Sequence, residues 1–413
     1  MNIGFISTRL AGNDGVSLEA AKWATVLRRM GHEVFYCAGE LEDGGPPGLL
    51  VPEMHFNSPE SMWIRTRAYG TTTPHPELFP RIERLQATLE AGLKTFITDY
   101  AIDLIIPQNV LSIPLQIPLG LALTQVIAET GIPTVAHHHD FYWERDCYEP
   151  NCIPHLLDRA FPPDLPSIRH VVINSLAQRA LKARRGIEAI IVPNVFDFAT
   201  PPPGIDEFNA DLRAAIGLAP GDIFILQPTR VIRRKGIELA VEFVQRLGDP
   251  RCKLVLTHGD DLDLDYLRQI QEQAQRANVD LRFVGHRIST SRQIKDGKKV
   301  YALWDAYIHA DFVTYPSLYE GFGNALLEAM YFKKPMLVNR YPVYVADIGP
   351  LGFDFIEIDG RVTEEAVTQA QRVLTDPDLR QRMVEQNFQL GKRYFSLEVL
   401  AGFITRHLLK PGN

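Results

Sequence analysis

Cysteine is scarce. Cys37, Cys147, Cys152 and Cys252 are the four in 413 residues, too few for the disulfide framework that staples small secreted domains. Cys147 and Cys152 lie near His155 and the run His137, His138, His139, which raises the question of zinc. A C-x4-C spacing with no second clean pair does not suit a structural zinc site, and no metal is expected. A long apolar run is also missing. The most hydrophobic stretch, LSIPLQIPLGLALTQVIAETGIPTVA, is broken by prolines, glutamines and Glu129, so stable membrane insertion is not expected. The start, MNIGFIST, enters a strand-like run without a basic leader or a small-residue cleavage site, so a cytoplasmic location is expected. Positive charge is not in excess, and the formal net charge is -7. A nucleic-acid partner would normally require a strongly basic domain, so none is expected. A local basic site for a phosphorylated small molecule is still allowed.

What is present is the composition of an ordinary globular protein, 46% hydrophobic and 23% charged. The chain is too long for one core, so two domains are expected. NIGFIS, HEVFYC, IDLIIP, PTVAHHH and HVVINS read as strands. Amphipathic segments such as SLEAAKWATVLRRMG and PELFPRIERLQATLEAGLKTFITDY lie between them and read as helices. Apolar strands alternating with helices predict a parallel sheet covered on both faces. The triple proline Pro201 to Pro203 reads as a stiff connector, giving an N-terminal domain at 1–200 and a C-terminal one at 201–413. The alternation then restarts. IFILQPT, KLVLTHG, LRFVGH, DFVTYP and KPMLVN are strands, and KGIELAVEFVQRLG, LDYLRQIQEQAQRA, KVYALWDAYIHA and NALLEAMYF are helices. The expected fold class is α/β: two Rossmann-like doubly wound domains facing a central cleft, with ligands at the carboxyl ends of the strands. The last helices, from about Asp376, can pack back on the N-terminal domain.

The strand ends carry the chemistry. Gly12 and Gly15 fall in the loop before a helix near Ser17, where glycine lets the backbone approach an anion. They can equally make a tight turn only, and they do not form the G-x-G-x-x-G of a dinucleotide fold. HHHDFYWERD, after the strand PTVA, places three histidines beside Asp140, Tyr142, Trp143 and Arg145. A histidine there can hydrogen-bond a sugar hydroxyl or move a proton, and aromatic faces suit sugar rings. PTRVIRRKG sets Arg230, Arg233, Arg234 and Lys235 at another strand end. Such a cluster is most often solvated surface, but at a ligand edge it fits a diphosphate. In PSLYEGFGNALLEAM, Gly321 and Gly323 precede a helix start. The amides of Phe322, Gly323, Asn324 and Ala325 suit a phosphate there. Glu328 can take both hydroxyls of a ribose, and Glu320 can meet a reacting sugar. The acidic run DDLDLD, Asp260 to Asp265, reads as a solvated helix start rather than a metal site, with Gly259 before it lining the ligand edge.

Together these motifs resemble the retaining glycosyltransferases of family 4. The likeness rests on E-x7-E from Glu320 to Glu328, R-x4-K from Arg230 to Lys235 before a glycine, and the step Val192 to Asn194. It runs over nearly the whole chain and implies the GT-B fold, with the donor held mainly by the C-terminal domain and the acceptor by the N-terminal one. It also implies transfer with retention and no obligatory metal or cofactor, the nucleotide-sugar being a substrate. By that likeness Arg230 and Lys235 hold the diphosphate, Glu328 the ribose, and Glu320 the transferred sugar. His139 is the strand-end histidine, and the loop from Gly285 through His286 and Arg287 is where the base sits. Gly15, Gly259, Phe322, Gly323 and Asn324 complete the donor side. Arg9, His138, Asp140, Trp143 and Arg145 fall on the acceptor side. Two features depart from the family: NRYPVYVADIG stands where a Gly-Gly is common, and the first loop reads NDGVSLE rather than a glycine pair.

DGVSLE with HHHDFYWER resembles a branch that makes mannosylglucosylglycerate, a compatible solute. That implies GDP-mannose as donor, with UDP-glucose next, and an anionic glucosylglycerate as the small soluble acceptor. Arg9, Arg65, Arg67 and Arg145 lie in the acceptor half and can meet a carboxylate. A homo-oligomer is compatible with the sequence. The alternatives are a nucleotide-sugar epimerase of the same fold, a transferase acting on a cell-envelope glycan or lipid, a scaffold that lost turnover, and a nicotinamide enzyme. The last lacks the glycine fingerprint.

Overall fold

The computed structural model describes residues 1–12, 14–259 and 262–408. Asp260 and Asp261 of the acidic run lie outside the described residues, as does Asn13 of the first loop. The chain forms two compact units. One is Met1–Asn194 with the chain from Leu397 onward, and the other is Val195–Ser396. The break falls ahead of the triple proline because Phe196 and Phe198 already pack in the second unit. Phe196 lies 4.7 Å from Tyr331 and Phe198 5.5 Å from Phe388, centre to centre.

In the first unit the strands are β1 (Asn2–Ser7), β2 (Glu33–Ala38), β3 (Gly48–Leu50), β4 (Leu104–Pro107), β5 (Thr134–His138), β6 (Ile168–Val172) and β7 (Ala189–Ile191). They form one parallel sheet in the order β3-β2-β1-β4-β5-β6-β7. Helices cover both faces, which is why the strand sequences are apolar throughout rather than alternating. The helix Leu78–Asp99 buries Leu85, Leu89, Leu93 and Phe96, a stripe at i, i+4 and i+3 spacing, in a core shared with Leu119, Leu123 and Val126. The helix Gly15–Arg29 starts at a cap. Asp14 Oδ1 accepts from the Val16 and Ser17 amides at 3.0 and 3.1 Å, an arrangement worth about 1 kcal/mol. Strand order reverses between β1 and β4, so the loops leaving these strands part to opposite sides and open a ligand edge.

The second unit repeats this winding with β8 (Ile223–Gln227), β9 (Cys252–Leu256), β10 (Asp280–Phe283), β11 (Ile288–Ser289), β12 (Gln293–Lys295), β13 (Lys298–Ala302), β14 (Phe312–Tyr315), β15 (Met336–Asn339) and β16 (Ile356–Ile358). The main sheet runs β10-β9-β8-β14-β15-β16, all parallel. Here the reversal lies between β8 and β14, and the register Val313 to Leu226 sets their carboxyl ends side by side. A small sheet, β11-β13-β12, is inserted after β10. It corrects one expectation: KVYALWDAYIHA begins as β13, and its helix spans only Leu303–His309. Val300 and Tyr301, a branched and an aromatic residue, favour the pleated surface there. No helix of the described residues is long and apolar enough to cross a membrane.

Candidate active site

In the second unit the loops leaving β8 and β14 meet where the strand order reverses. Backbone fastens them, with the Leu318 N–H donating to the Arg234 carbonyl at 2.8 Å. Gly236 closes the contact. Its φ is +59°, and a Cβ there would lie 2.4 Å from the Pro316 carbonyl oxygen, so only glycine lets the loops come this close. Across this seam Lys235 Nζ donates to Glu320 Oε1. Arg234 Nη1 donates to Glu320 Oε2 and to the Tyr319 carbonyl, both at 2.9 Å. Lys235 and Glu320 are 8% and 7% exposed, so each charge depends on its partner rather than on water. Burial pushes the Glu320 carboxyl up, but Lys235 and Arg234 outweigh it and hold it below the usual value. Burial lowers Lys235 below the usual ammonium value although Glu320 opposes the shift. Arg230, at the mouth of the loop, is exposed.

The helix Asn324–Tyr331 starts directly after this seam. Gly323 has φ +130°, and a Cβ on it would meet Tyr341 Oη at 2.6 Å. Tyr341 Oη itself donates to the Phe322 carbonyl at 2.5 Å. The residues NRYPVY, which replace the family's usual glycines, thus brace the turn: Asn339 Nδ2 donates to the Ser317 carbonyl at 3.1 Å and Tyr341 holds Phe322. The first intrahelical bond is Leu326 N–H to the Gly323 carbonyl, 3.0 Å. The amides of Gly323, Asn324 and Ala325 precede it, at the positive end of the helix. Glu328 is half-buried on this helix, and its carboxylate adds to burial in raising the Tyr307 hydroxyl well above its usual value. Gly259 stands back to back with Gly285, 3.0 Å from its carbonyl oxygen as measured from an added Cβ. His286 is exposed, and the Arg287 guanidinium lies 5.8 Å from the Tyr301 ring centre. Asp263 caps the helix Leu264–Arg276 by accepting from the Tyr266 amide at 2.9 Å.

In the first unit the loops leaving β1, β4 and β5 build a second cluster. Gln108 Oε1 lies 3.0 Å from His137 Nδ1 and 3.1 Å from His139 Nε2. A carbonyl oxygen only accepts, so both ring nitrogens donate to it, which leaves the lone pair of His139 on Nδ1. Burial takes His139 down to about 4 although Asp140 and Asp14 pull the other way, so the ring is neutral at pH 7. The His139 amide donates to Asn109 Oδ1 at 2.7 Å, and Asn109 Nδ2 donates to Asp140 Oδ1 at 2.8 Å. Arg145 Nε donates to Asp140 Oδ2 at 2.7 Å. His138 is not brought together with His139. Strand alternation turns it to the other face, where Nε2 lies 2.9 Å from His170 Nδ1. Trp143 stacks on Phe141 at 4.5 Å. Arg9 Nη2 pairs with Asp14 Oδ2 at 2.9 Å, and Gly15 opens the helix that Asp14 caps. Gln108 and Asn109 escaped the sequence reading; their one signal is their position just after β4. Cys152 Sγ donates to the Arg67 and Ala68 carbonyls, and Cys147 is exposed. Among the described residues no group of three or more His, Cys, Asp or Glu is placed to hold a metal ion.

Two sheets of Rossmann order, each with a polar cluster at its carboxyl edge, define a GT-B glycosyltransferase. Residues 208–390 match the family described as Glycosyl transferases group 1. The chain is 36% identical to mannosylglucosylglycerate synthase of Thermotoga maritima over 99% of its length and 100% of that protein. It is 32% identical to the protein of the same name from Petrotoga mobilis, over 97% and 99%. Among solved structures, Anabaena HepE in complex with UDP and glucose matches with a TM-score of 0.67 at 15% identity, covering 99% of both chains. Sucrose-phosphate synthase from Thermosynechococcus elongatus matches at 0.65 and 18%, again over 99% of both. The chain belongs to the group 1 glycosyl transferases, the retaining family 4, and is a hexosyltransferase.

Proposed function

We propose that this protein transfers mannose from GDP-mannose to glucosylglycerate, with retention at the anomeric carbon. The names of its two relatives and their full-length coverage support the substrates. The observation that carries the site is the buried Lys235–Glu320 pair at the seam between the β8 and β14 loops. Lys235 and Arg230 take the diphosphate, together with the amides at the start of the helix Asn324–Tyr331. As the donor's carbon–oxygen bond breaks, its electrons pass to the diphosphate, and fixed cations favour that state over the ground state. Glu320, kept ionised by Lys235 and Arg234, faces the sugar and stabilises positive charge at the anomeric carbon. Glu328 takes the ribose hydroxyls, and His286 and Arg287 flank the base. On the first unit His139 accepts a sugar hydroxyl through Nδ1. Asp140 and Arg145 orient the acceptor. A cytoplasmic location and a freely diffusing acceptor complete this reading.

The test is product analysis with purified protein. GDP-mannose and glucosylglycerate should yield mannosylglucosylglycerate and GDP, detected by mass spectrometry, while UDP-glucose yields no diglucosylglycerate. Transfer from UDP-glucose alone would overturn the donor. Interconversion of the nucleotide-sugar without an acceptor product would favour the epimerase.

A further inference from the structure

The loop leaving β4 grips the end of β5 at three points. The Asn109 N–H donates to the His137 carbonyl at 2.9 Å, and Asn109 Oδ1 accepts from the His139 amide at 2.7 Å. Asn109 does this from a left-handed backbone, φ +61°, a conformation that asparagine adopts more readily than most residues. The third grip is the Gln108 side chain. Its Oε1 lies between two rings, 3.0 Å from His137 Nδ1 and 3.1 Å from His139 Nε2. All three side chains are buried, so water does not compete for these bonds. The rings are held in turn. Their centres lie 4.3 Å apart, and Trp23 packs 4.6 Å from His137 on the helix Gly15–Arg29. The two ends of the Gln108 amide are used unequally. Its oxygen serves two rings, while its Nε2 is buried with no hydrogen-bond partner among the described residues, and so is His137 Nε2. A glutamine kept only for stability would have its N–H groups paired as well, because a buried donor without an acceptor is costly.

We propose that Gln108 is a positioning residue: its oxygen holds the His139 hydrogen on Nε2 and so keeps a lone pair on Nδ1 for a sugar hydroxyl. It rests on the reading of His139 as the group that meets that hydroxyl, and Gln108 acts only through the histidine. A neutral imidazole carries one hydrogen and one lone pair, and the partner of one nitrogen decides what the other offers. Turning the amide end for end would set its N–H groups against both rings. The His139 hydrogen would then move to Nδ1, and that nitrogen would donate instead of accept. One buried amide therefore sets the sense of the hydrogen bond that the site makes with its ligand. Asn109 fixes the same residue through its backbone, and its Nδ2 donates to Asp140 Oδ1 at 2.8 Å, so ring, amide and neighbouring carboxylate are placed by one dipeptide.

Long-range proton–nitrogen NMR spectra of the full chain, labelled with nitrogen-15 in histidine, read the tautomer directly. The His139 ring signals are those lost in His139→Ala. In the unsubstituted protein the hydrogen should sit on Nε2. Gln108→Met keeps the bulk but cannot accept from either ring. It should lose the Nε2–H preference, and kcat/KM with GDP-mannose and glucosylglycerate should fall about tenfold, the effect of one hydrogen bond no longer oriented. Hydrogen on Nδ1 in the unsubstituted protein would overturn the proposal. So would a folded Gln108→Met that keeps the Nε2–H form, since a purely structural role lowers the melting temperature and leaves the tautomer in place. If Gln108→Met does not fold, the tautomer of the unsubstituted protein decides. Each of these failures leaves the reading of His139 standing, whereas unchanged kcat/KM in His139→Ala would remove that reading and the proposal with it.

Discussion

Glu320 and Lys235 have exchanged water for one another, and Arg234 is the second cation on the same carboxylate. Removing one member of a buried pair commonly costs several kcal/mol when nothing else neutralises the survivor. Here Arg234 remains, so Lys235→Ala should stay folded and lose turnover instead. Loss of a transition-state charge partner commonly lowers kcat about 10²- to 10³-fold. A steady-state assay with GDP-mannose checks this, and near-normal kcat in a folded variant would exclude the role. Lys235, Glu320 and Glu328 were singled out in the sequence by their place at or just after strand ends, and the structure brings Lys235 and Glu320 together. Arg234 was read there as one cation of a cluster, without its carboxylate partner, and Tyr341 was not singled out. Arg234 meets Glu320 across a separation of 86 residues, and Tyr341 reaches Phe322 from the loop that follows β15. Both contacts depend on which strands lie side by side, and no local pattern encodes that. His138 shows the reverse error. Three adjacent histidines look equivalent in one dimension, but a strand turns every second side chain away.

At the scale of elements, the seam between the β8 and β14 loops is a backbone feature before it is a charged one. Gly236→Ala would place a methyl group against the Pro316 carbonyl and impose left-handed strain of roughly 1–2 kcal/mol. The loops must then part, carrying Lys235 away from Glu320. The expected result is a larger loss of turnover than of thermal stability, read from kcat beside the melting temperature. Equal donor kinetics in variant and parent would show that the seam does not position the site. The long apolar strands of both main sheets were legible from their uninterrupted hydrophobic runs. The edge strands β3 and β16 and the small β11-β13-β12 sheet were not: two to five residues with mixed polarity carry too little pattern.

The whole molecule should be sensitive to mild acid. Burial takes His139 and His170 down to about 4, and His137 and His138 well below the ordinary value of 6.5. In the unfolded chain these rings take protons near 6.5, before the folded chain does. Stability therefore is highest above that pH and falls as the pH drops from about 6.5 toward about 4, by at most roughly 3 kcal/mol for each of His139 and His170. Urea midpoints measured at pH 7.5, 6.5 and 5.5 isolate this effect from carboxylate titration. A flat profile over that range would contradict it.

The path of the chain has a further consequence. The first unit includes the helix Leu397–Phe403, which packs on the helix Gly15–Arg29, and Arg169 Nη1 donates to the His407 carbonyl at 2.8 Å. Val195–Ser396 is continuous, whereas its neighbour draws on residues from both ends of the sequence. On a ribosome, the segment made second can therefore be finished first, while the segment made first waits for the last residues to emerge. A nascent chain stalled before Leu397 would expose the surface of Gly15–Arg29 that this helix covers.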